Sequence, residues 1–310
     1  MYMTTDHPYP MIIKTMITTT HFRRLAGVLC ALSVLLCSCT HGAAETEDGG
    51  RTVSFRITNY VQYSLDEGTR STPVSSSQVL RHLALGVFDA ATDKPMGTLQ
   101  VQDSGAEGYG SFSVTLPYGQ YRLVFLGYGG DRACTMESPE RVSFEGGYVP
   151  QTFLHTSLLT VNAQTAAQTD ITLRRVVAGF RVQMEDAIPG EASSFRCRSS
   201  GGGTVLDAKT GLAASATGRE YSIDIPESYR GKSGQKVTMY LFLSSSPETM
   251  DMEVSALDAQ GGEIVSRKFP AVPMRVNTLT VYRGKFFADR SYGFSLMVDD
   301  AWGETIENTF

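Results

Sequence analysis

Alternation of apolar and polar side chains over residues 53–65 is the feature that most constrains this chain. The large apolar side chains there share one parity, interrupted by Asn59, and they are Val53, Phe55, Ile57, Val61, Tyr63 and Leu65. The positions between them are polar, apart from Tyr60. Successive side chains of a β-strand point to opposite faces, so this segment is predicted to be a strand with one long apolar face.

The same period of two recurs through the rest of the chain. Further strands are predicted at 83–88, 171–173, 180–184, 237–243, 252–256, 277–282 and 294–298. Residues 111–126 are predicted to form a hairpin, because two alternating runs flank Pro117-Tyr118-Gly119. No stretch shows the sustained i, i+3, i+4 spacing of an amphipathic helix.

Many short strands separated by glycine, proline and serine predict an all-β protein built from β-sandwiches. The polar segment 162–170 is the predicted boundary between two halves. We therefore expect two tandem sandwich domains, an N-terminal one over 51–165 and a C-terminal one over 166–310.

An export signal precedes this region. Residues 25–38 are apolar and uncharged, and His21, Arg23 and Arg24 lie directly before them. The run is too short to span a bilayer. The segment Leu36-Cys37-Ser38-Cys39 resembles a bacterial lipobox, which implies that Cys39 is lipidated and becomes the new N-terminus. The alternative is an ordinary signal peptide followed by a stray cysteine.

A signal peptide is therefore predicted over 1–38, and the small and acidic residues 39–50 are predicted to be a flexible tether. The lipid would be the protein's membrane contact. In lipoproteins of some Gram-negative bacteria, such an acidic stretch resembles a signal for display on the outer face. The expected location is thus the outer membrane, on the surface of the cell.

Composition and charge argue against nucleic-acid binding. The chain carries a formal charge of −5, whereas proteins that bind nucleic acid present a basic face. We expect no nucleic-acid partner.

Motifs for catalysis, cofactors and metals are missing from the pattern. The histidines after the signal, His41, His82 and His155, are scattered, so no metal ligands are predicted. Gly231-Lys232-Ser233 imitates the end of a phosphate loop, but Pro226 stands where its first glycine belongs. We predict no catalytic residues, no cofactor and no enzymatic activity.

Some polar and sulfur-bearing residues are open to more than one interpretation. Glu185-Asp186 and Asp299-Asp300 could bind calcium, although solvated loop charges are commoner. Cys134 and Cys197 could form a disulfide in an oxidising compartment. Two separate thiols are the favoured interpretation, because the cysteines lie in different halves of the sequence.

These features, taken in order, resemble the fimbrillin superfamily of Gram-negative fimbrial lipoproteins, and in particular its anchor and accessory subunits. The segments that carry the resemblance are the lipobox at Cys39, the alternating strand 53–65 with Arg70 after it, Val87-Phe88-Asp89 with residues 112–125, residues 171–180, and residues 277–282 with Trp302. The resemblance implies two seven-stranded sandwiches of transthyretin-like topology.

The resemblance also implies a function. Such subunits assemble by strand complementation, in which a strand from a neighbouring subunit fills a groove. Val53, Phe55, Ile57, Val61, Tyr63 and Leu65 are then the candidate complementing strand. Arg70 matches the position at which a protease releases this strand in polymerising members. Subunits that anchor a fimbria keep it. An ordinary edge strand that never leaves, and a loop arginine that is never cut, are the alternatives.

Other fimbrial subunits and the outer membrane are the expected partners, and a ligand on a host or bacterial surface is left open. The alternative function is a glycan-binding surface lipoprotein. Sugar sites favour exposed aromatic side chains. This chain has one tryptophan, Trp302, and the other aromatic candidates are Tyr118, Tyr121 and Tyr128, which are close in sequence.

Overall fold

A computed structural model describes residues 45–46, 49–60, 79–288 and 295–299. Almost every regular element in these ranges is a β-strand, which confirms the all-β prediction. The exceptions are two single 3₁₀ turns, Glu145–Gly147 and Glu227–Tyr229. Within the same ranges, no helix is long and apolar enough to cross a membrane.

Strands of the first half form two sets. Most join one eight-stranded sheet in the order β1-β2-β10-β9-β6-β3-β4, with β5 on the other edge of β2. A short hairpin, β7-β8, belongs to another sheet. The strands are β1 (Glu45–Thr46), β2 (Gly50–Tyr60), β3 (His82–Asp89), β4 (Gln100–Asp103), β5 (Ser111–Pro117), β6 (Gly119–Tyr128), β7 (Cys134–Ser138), β8 (Arg141–Phe144), β9 (Thr152–Val161) and β10 (Gln168–Arg175).

This sheet doubles back on itself at β10. The first part of β10 pairs with β2 in parallel, whereas Arg174 and Arg175 pair with β9. As a result, β5, β2 and β10 face β3, β6 and β9 across a shared apolar core. Period-two alternation explains the arrangement, since each strand directs every second side chain into that core.

The predicted hairpin over residues 111–126 is wrong. Both strands form and the chain reverses between them, but β5 pairs with β2, whereas β6 pairs with β3 and β9. Phe112 and Leu116 of β5 meet Leu123 and Phe125 of β6 in the same core, from opposite layers. Alternation reports only that two strands share a core, and it does not report whether they share a sheet.

The second half repeats this architecture. Its strands are β11 (Ala178–Met184), β12 (Ser194–Ser199), β13 (Leu206–Asp207), β14 (Leu212–Ala213), β15 (Arg219–Asp224), β16 (Lys236–Leu241), β17 (Glu248–Leu257), β18 (Glu263–Met274), β19 (Leu279–Gly284) and β20 (Ser295–Asp299). One sheet has the order β16-β11-β19-β20 and another the order β15-β12-β17-β18.

Seven strands of each half share the same connectivity, and β20 has no counterpart among the described strands of the first half. The first half has β5-β2-β10 opposite β4-β3-β6-β9, and the second has β16-β11-β19 opposite β15-β12-β17-β18. In each half the first strand pairs in parallel with a late one, β2 with β10 and β11 with β19. The halves are thus alike in architecture, although the sequence shows no repeat.

A third core joins the two halves. It contains Val124, Leu126 and Phe144 from the first half together with Leu206 and Phe242 from the second. Backbone pairing crosses the same junction, since β13 pairs with β8 in the sheet β14-β13-β8-β7.

The division into two domains between residues 165 and 166 stays a prediction. The strand that follows this boundary, β10, pairs with β2 and β9, which precede it.

Candidate assembly strand

Strand β2 contains the described part of the candidate complementing strand, and two long strands flank it, in addition to its short pairing with β1. On one edge, residues 50–56 pair antiparallel with β5, with Phe55 opposite Phe112. On the other edge, residues from Ser54 onward pair in parallel with β10, with Ile57 opposite Ile171. The strand is therefore an interior strand of the sheet rather than an edge strand, and whether it ever leaves stays a prediction.

The inner face of β2 is apolar, as its alternation predicts. Val53 and Phe55 are 1% and 2% exposed, and Ile57 is half-buried against the same core. The Phe55 ring meets the Phe125 ring edge to face, with centroids 5.2 Å apart. Burying each such side chain fully stabilises the fold by about 1.5–3 kcal/mol.

The outer face of β2 is polar and reaches solvent. The Thr52 and Thr115 hydroxyl oxygens lie 2.8 Å apart, and the Ser54 hydroxyl donates to Ser113 Oγ at 3.3 Å. These contacts tie β2 to β5 across the outside of the sheet. Arg56 is exposed.

Backbone hydrogen bonds fix β2 beyond its strand pairing. The Ser54 N–H donates to Ala167 O at 2.9 Å, just before β10 begins. The Ile57 N–H donates to Gly110 O at 2.8 Å, just before β5 begins. The Arg51 guanidinium donates to Ala163 O. Both β5 and β10 are thus hydrogen-bonded to β2 at the residue that precedes each strand as well as along the paired strands.

Several predicted site residues lie outside the described residues. Val61, Tyr63 and Leu65, which would extend the strand, are among them, and so are the lipidation site Cys39 and the processing site Arg70. Their assignments stay predictions.

Both cysteines beyond the tether are free and buried. Cys134 belongs to the core that joins the halves, whereas Cys197 belongs to the core of the second half. Burial raises the pKa of each thiol to about 12. Such thiols are packing groups rather than nucleophiles at neutral pH.

The acidic pair Glu185-Asp186 has a structural explanation. The Asp186 carboxylate accepts the N–H groups of Phe286, Phe287 and Ala288 at 2.7–3.0 Å. Its oxygens therefore hold the segment after β19 in place. Within the described ranges, no group of three or more His, Cys, Asp or Glu side chains could hold a metal ion.

The tyrosines considered for a sugar platform do not share a surface. Tyr121 and Tyr128 are 4% and 2% exposed, whereas Tyr118 is 43% exposed in the turn between β5 and β6. The buried Tyr121 hydroxyl donates to Pro117 O at 3.0 Å and so braces that turn.

Two glutamines that no motif indicated also belong to this site. Gln100 and Gln102 of β4 reach across the open side of the sandwich to the free edge of β5. Their spacing of two residues is visible in the sequence, but no strand was predicted there and nothing showed what the glutamines contact.

Solved structures similar to this chain include fimbrial proteins. The fimbrial anchor protein Mfa2 from Porphyromonas gingivalis aligns with a TM-score of 0.36 and 14% identity, over 80% of this chain and 96% of that one. The tip fimbrial protein Mfa3 from the same species, with a C-terminal truncation, gives 0.36 and 12%, over 79% and 97%. A candidate adhesin from Bacteroides ovatus gives 0.46 and 13%, over 78% and 92%.

No curated protein matches the sequence. The sequence of residues 150–309 does match a protein family, which is described as a family of unknown function, DUF6562. This match spans half of the chain, from just before β9 to the C-terminal end, and the chain therefore belongs to the DUF6562 family.

Proposed function

We propose that this protein is a structural subunit, an anchor or accessory one, of a cell-surface fimbria. In this proposal it assembles by strand complementation and is tethered to the outer membrane by a lipid on Cys39. The observation that carries the proposal is the interior position of β2, the first long strand of the fold.

An interior strand matters because of what its absence would leave. Without β2, the backbone groups of β5 and β10 would face each other across an empty slot. The floor of that slot is the apolar core now filled by Val53 and Phe55. An extended segment with alternating apolar side chains fits such a slot, because its backbone supplies the hydrogen bonds and its side chains set the register.

The lipid and the strand are linked along the chain. The predicted tether, residues 39–50, contains the short strand β1, and its last residue, Gly50, begins β2. Cleavage after Arg70 would leave Cys39 joined to the body of the protein only through the pairing of β2. An uncut chain therefore suits an anchor, whereas a cut chain suits a subunit whose slot is filled by a neighbour.

Isolation of the protein from its native cell surface tests this proposal. We expect a denaturant-resistant ladder of co-purifying fimbrial proteins, and mass spectrometry is expected to find an N-terminus at lipidated Cys39. An N-terminus at Ser71 would instead identify a polymerising subunit. Recovery of the chain alone, with saccharide binding on a glycan array, would overturn the fimbrial role.

A matched pair of variants makes the test specific to β2. Phe55→Asp places a charge in the slot and is expected to abolish incorporation into the ladder. Arg56→Ala, at the next and exposed position, is expected to leave incorporation intact.

A further inference from the structure

Strand β5 has β2 as its one strand neighbour among the described strands. By contrast, β10 also pairs with β9 through Arg174 and Arg175. The two walls of the β2 slot are therefore unequal, because β10 keeps a strand partner without β2 and β5 does not.

Two glutamines of the opposite layer occupy the free edge of β5. Gln100 Nε2 donates to Ser113 O at 3.3 Å, and Gln102 Nε2 donates to Ser111 O at 2.6 Å. Gln102 Oε1 also accepts the Gly110 N–H at 2.9 Å. Alternate residues of β4 thus meet alternate carbonyls of β5, which matches the period of two in both strands.

The second half contains the same device, built from other side chains. Arg219 and Tyr221 of β15, which corresponds to β4, donate to carbonyls of β16, which corresponds to β5. Arg219 Nη1 lies 2.9 Å from Tyr240 O, and Tyr221 Oη lies 2.8 Å from Thr238 O. Side-chain donors of different types thus contact the carbonyls of the corresponding strand in both halves. This recurrence indicates that the strand needs such donors from the opposite layer.

We infer that Gln100 and Gln102 are positioning residues that hold β5 in place from the opposite layer. They thereby preserve one wall of the slot when β2 is absent, a role that rests on the proposed function. Packing of Phe112 and Leu116 in the core retains β5 near the sandwich. The glutamines fix its position along the strand direction, because each amide meets one particular carbonyl.

The same contacts close this edge to other strands. The carbonyls of Ser111 and Ser113 already have donors, so a foreign strand cannot use them without displacing the glutamines. A partner strand is thereby directed to the β2 slot, and its class is an extended segment with alternating apolar residues.

Hydrogen–deuterium exchange of the full chain tests the inference. In the double variant Gln100→Glu/Gln102→Glu, neither side chain has an N–H to donate. We expect the amides of 111–116 to exchange about tenfold faster, while those of β6 stay unchanged. Gln120→Glu is the matched control, because Gln120 is exposed on β6 and the substitution adds the same kind of charge.

A second measurement addresses the slot itself. A specific protease site at Arg70 allows the chain to be cut, and a fluorescent peptide of residues 50–60 then competes for the slot. Fluorescence polarisation is expected to give a Kd about tenfold weaker in the double variant than in the wild type or the control.

The outcomes separate the two claims. Unchanged amide exchange in 111–116 would overturn the positioning role, whatever the peptide does. Faster exchange there, together with no peptide uptake by the cut wild-type chain, would support the role of the glutamines and refute strand complementation.

Discussion

Replacement of Phe55 by alanine removes the largest side chain that β2 places in the core. Phe55 is 2% exposed, and its ring packs edge to face on Phe125. Phe→Ala changes at buried sites cost about 3–5 kcal/mol, of which the aromatic pair accounts for about 0.5–1.5 kcal/mol. Residues 43–310 form one compact unit, and at about 2 °C per kcal/mol for a unit of this size we expect Tm to fall by roughly 6–10 °C.

Thermal unfolding followed by circular dichroism is the assay, with urea unfolding as a second measure of stability. Arg56→Ala is the control, since an exposed change on the same strand should stay within about 0.5 kcal/mol of wild type. If both variants melted at the same temperature, β2 would not be part of the cooperative core, and its removal would leave no slot of the proposed kind.

Three further predictions concern stability. Ile57→Asp is expected to lower Tm less than Phe55→Ala, because the half-buried site lets the carboxylate reach water; a larger loss in a melting curve would contradict this. Asp186→Asn is expected to cost about 2 kcal/mol in urea unfolding, because three N–H groups lose their charged acceptor, whereas exposed Glu185→Gln should change little. The pKa of buried Cys134 and Cys197 is raised to about 12, so between about pH 9 and 12 the unfolded thiols release protons that the folded ones keep. The free energy of unfolding should therefore fall as pH rises through this range. The urea midpoint should fall less steeply with pH in the variant Cys134→Ala/Cys197→Ala than in the wild type. Equal slopes would show that the thiols make no contribution.

Several strands with one face on a core and the other in solvent could be predicted from the sequence, although β7 and β12 have the same burial pattern and were not predicted. Strand β2 is such a case, and so is β5, where Phe112 and Leu116 alternate with exposed residues. Strand β9 was missed, because Phe153 packs in the first-half core and Leu154 in the core that joins the halves. With both faces buried, the alternation disappears.

Pairing could not be predicted from periodicity. Alternation is the same whether β5 pairs with β6 or with β2, so the hairpin was the wrong choice between two equal patterns. The parallel partner of β2 lies over a hundred residues away, with Gln168 opposite Ser54, and no local signal connects them. The role of Gln100 and Gln102 could not be predicted for the same reason, since it depends on which strand their side chains contact.

The core that joins the two halves also limits how this protein could move. Strand β13 of the second half pairs with β8 of the first, and Leu206 of β13 is fully buried at the junction. A tensile load on one half would therefore reach the other through these backbone hydrogen bonds and packed side chains. A force on the strand that occupies the β2 slot would therefore be resisted by both halves together rather than by the first half alone.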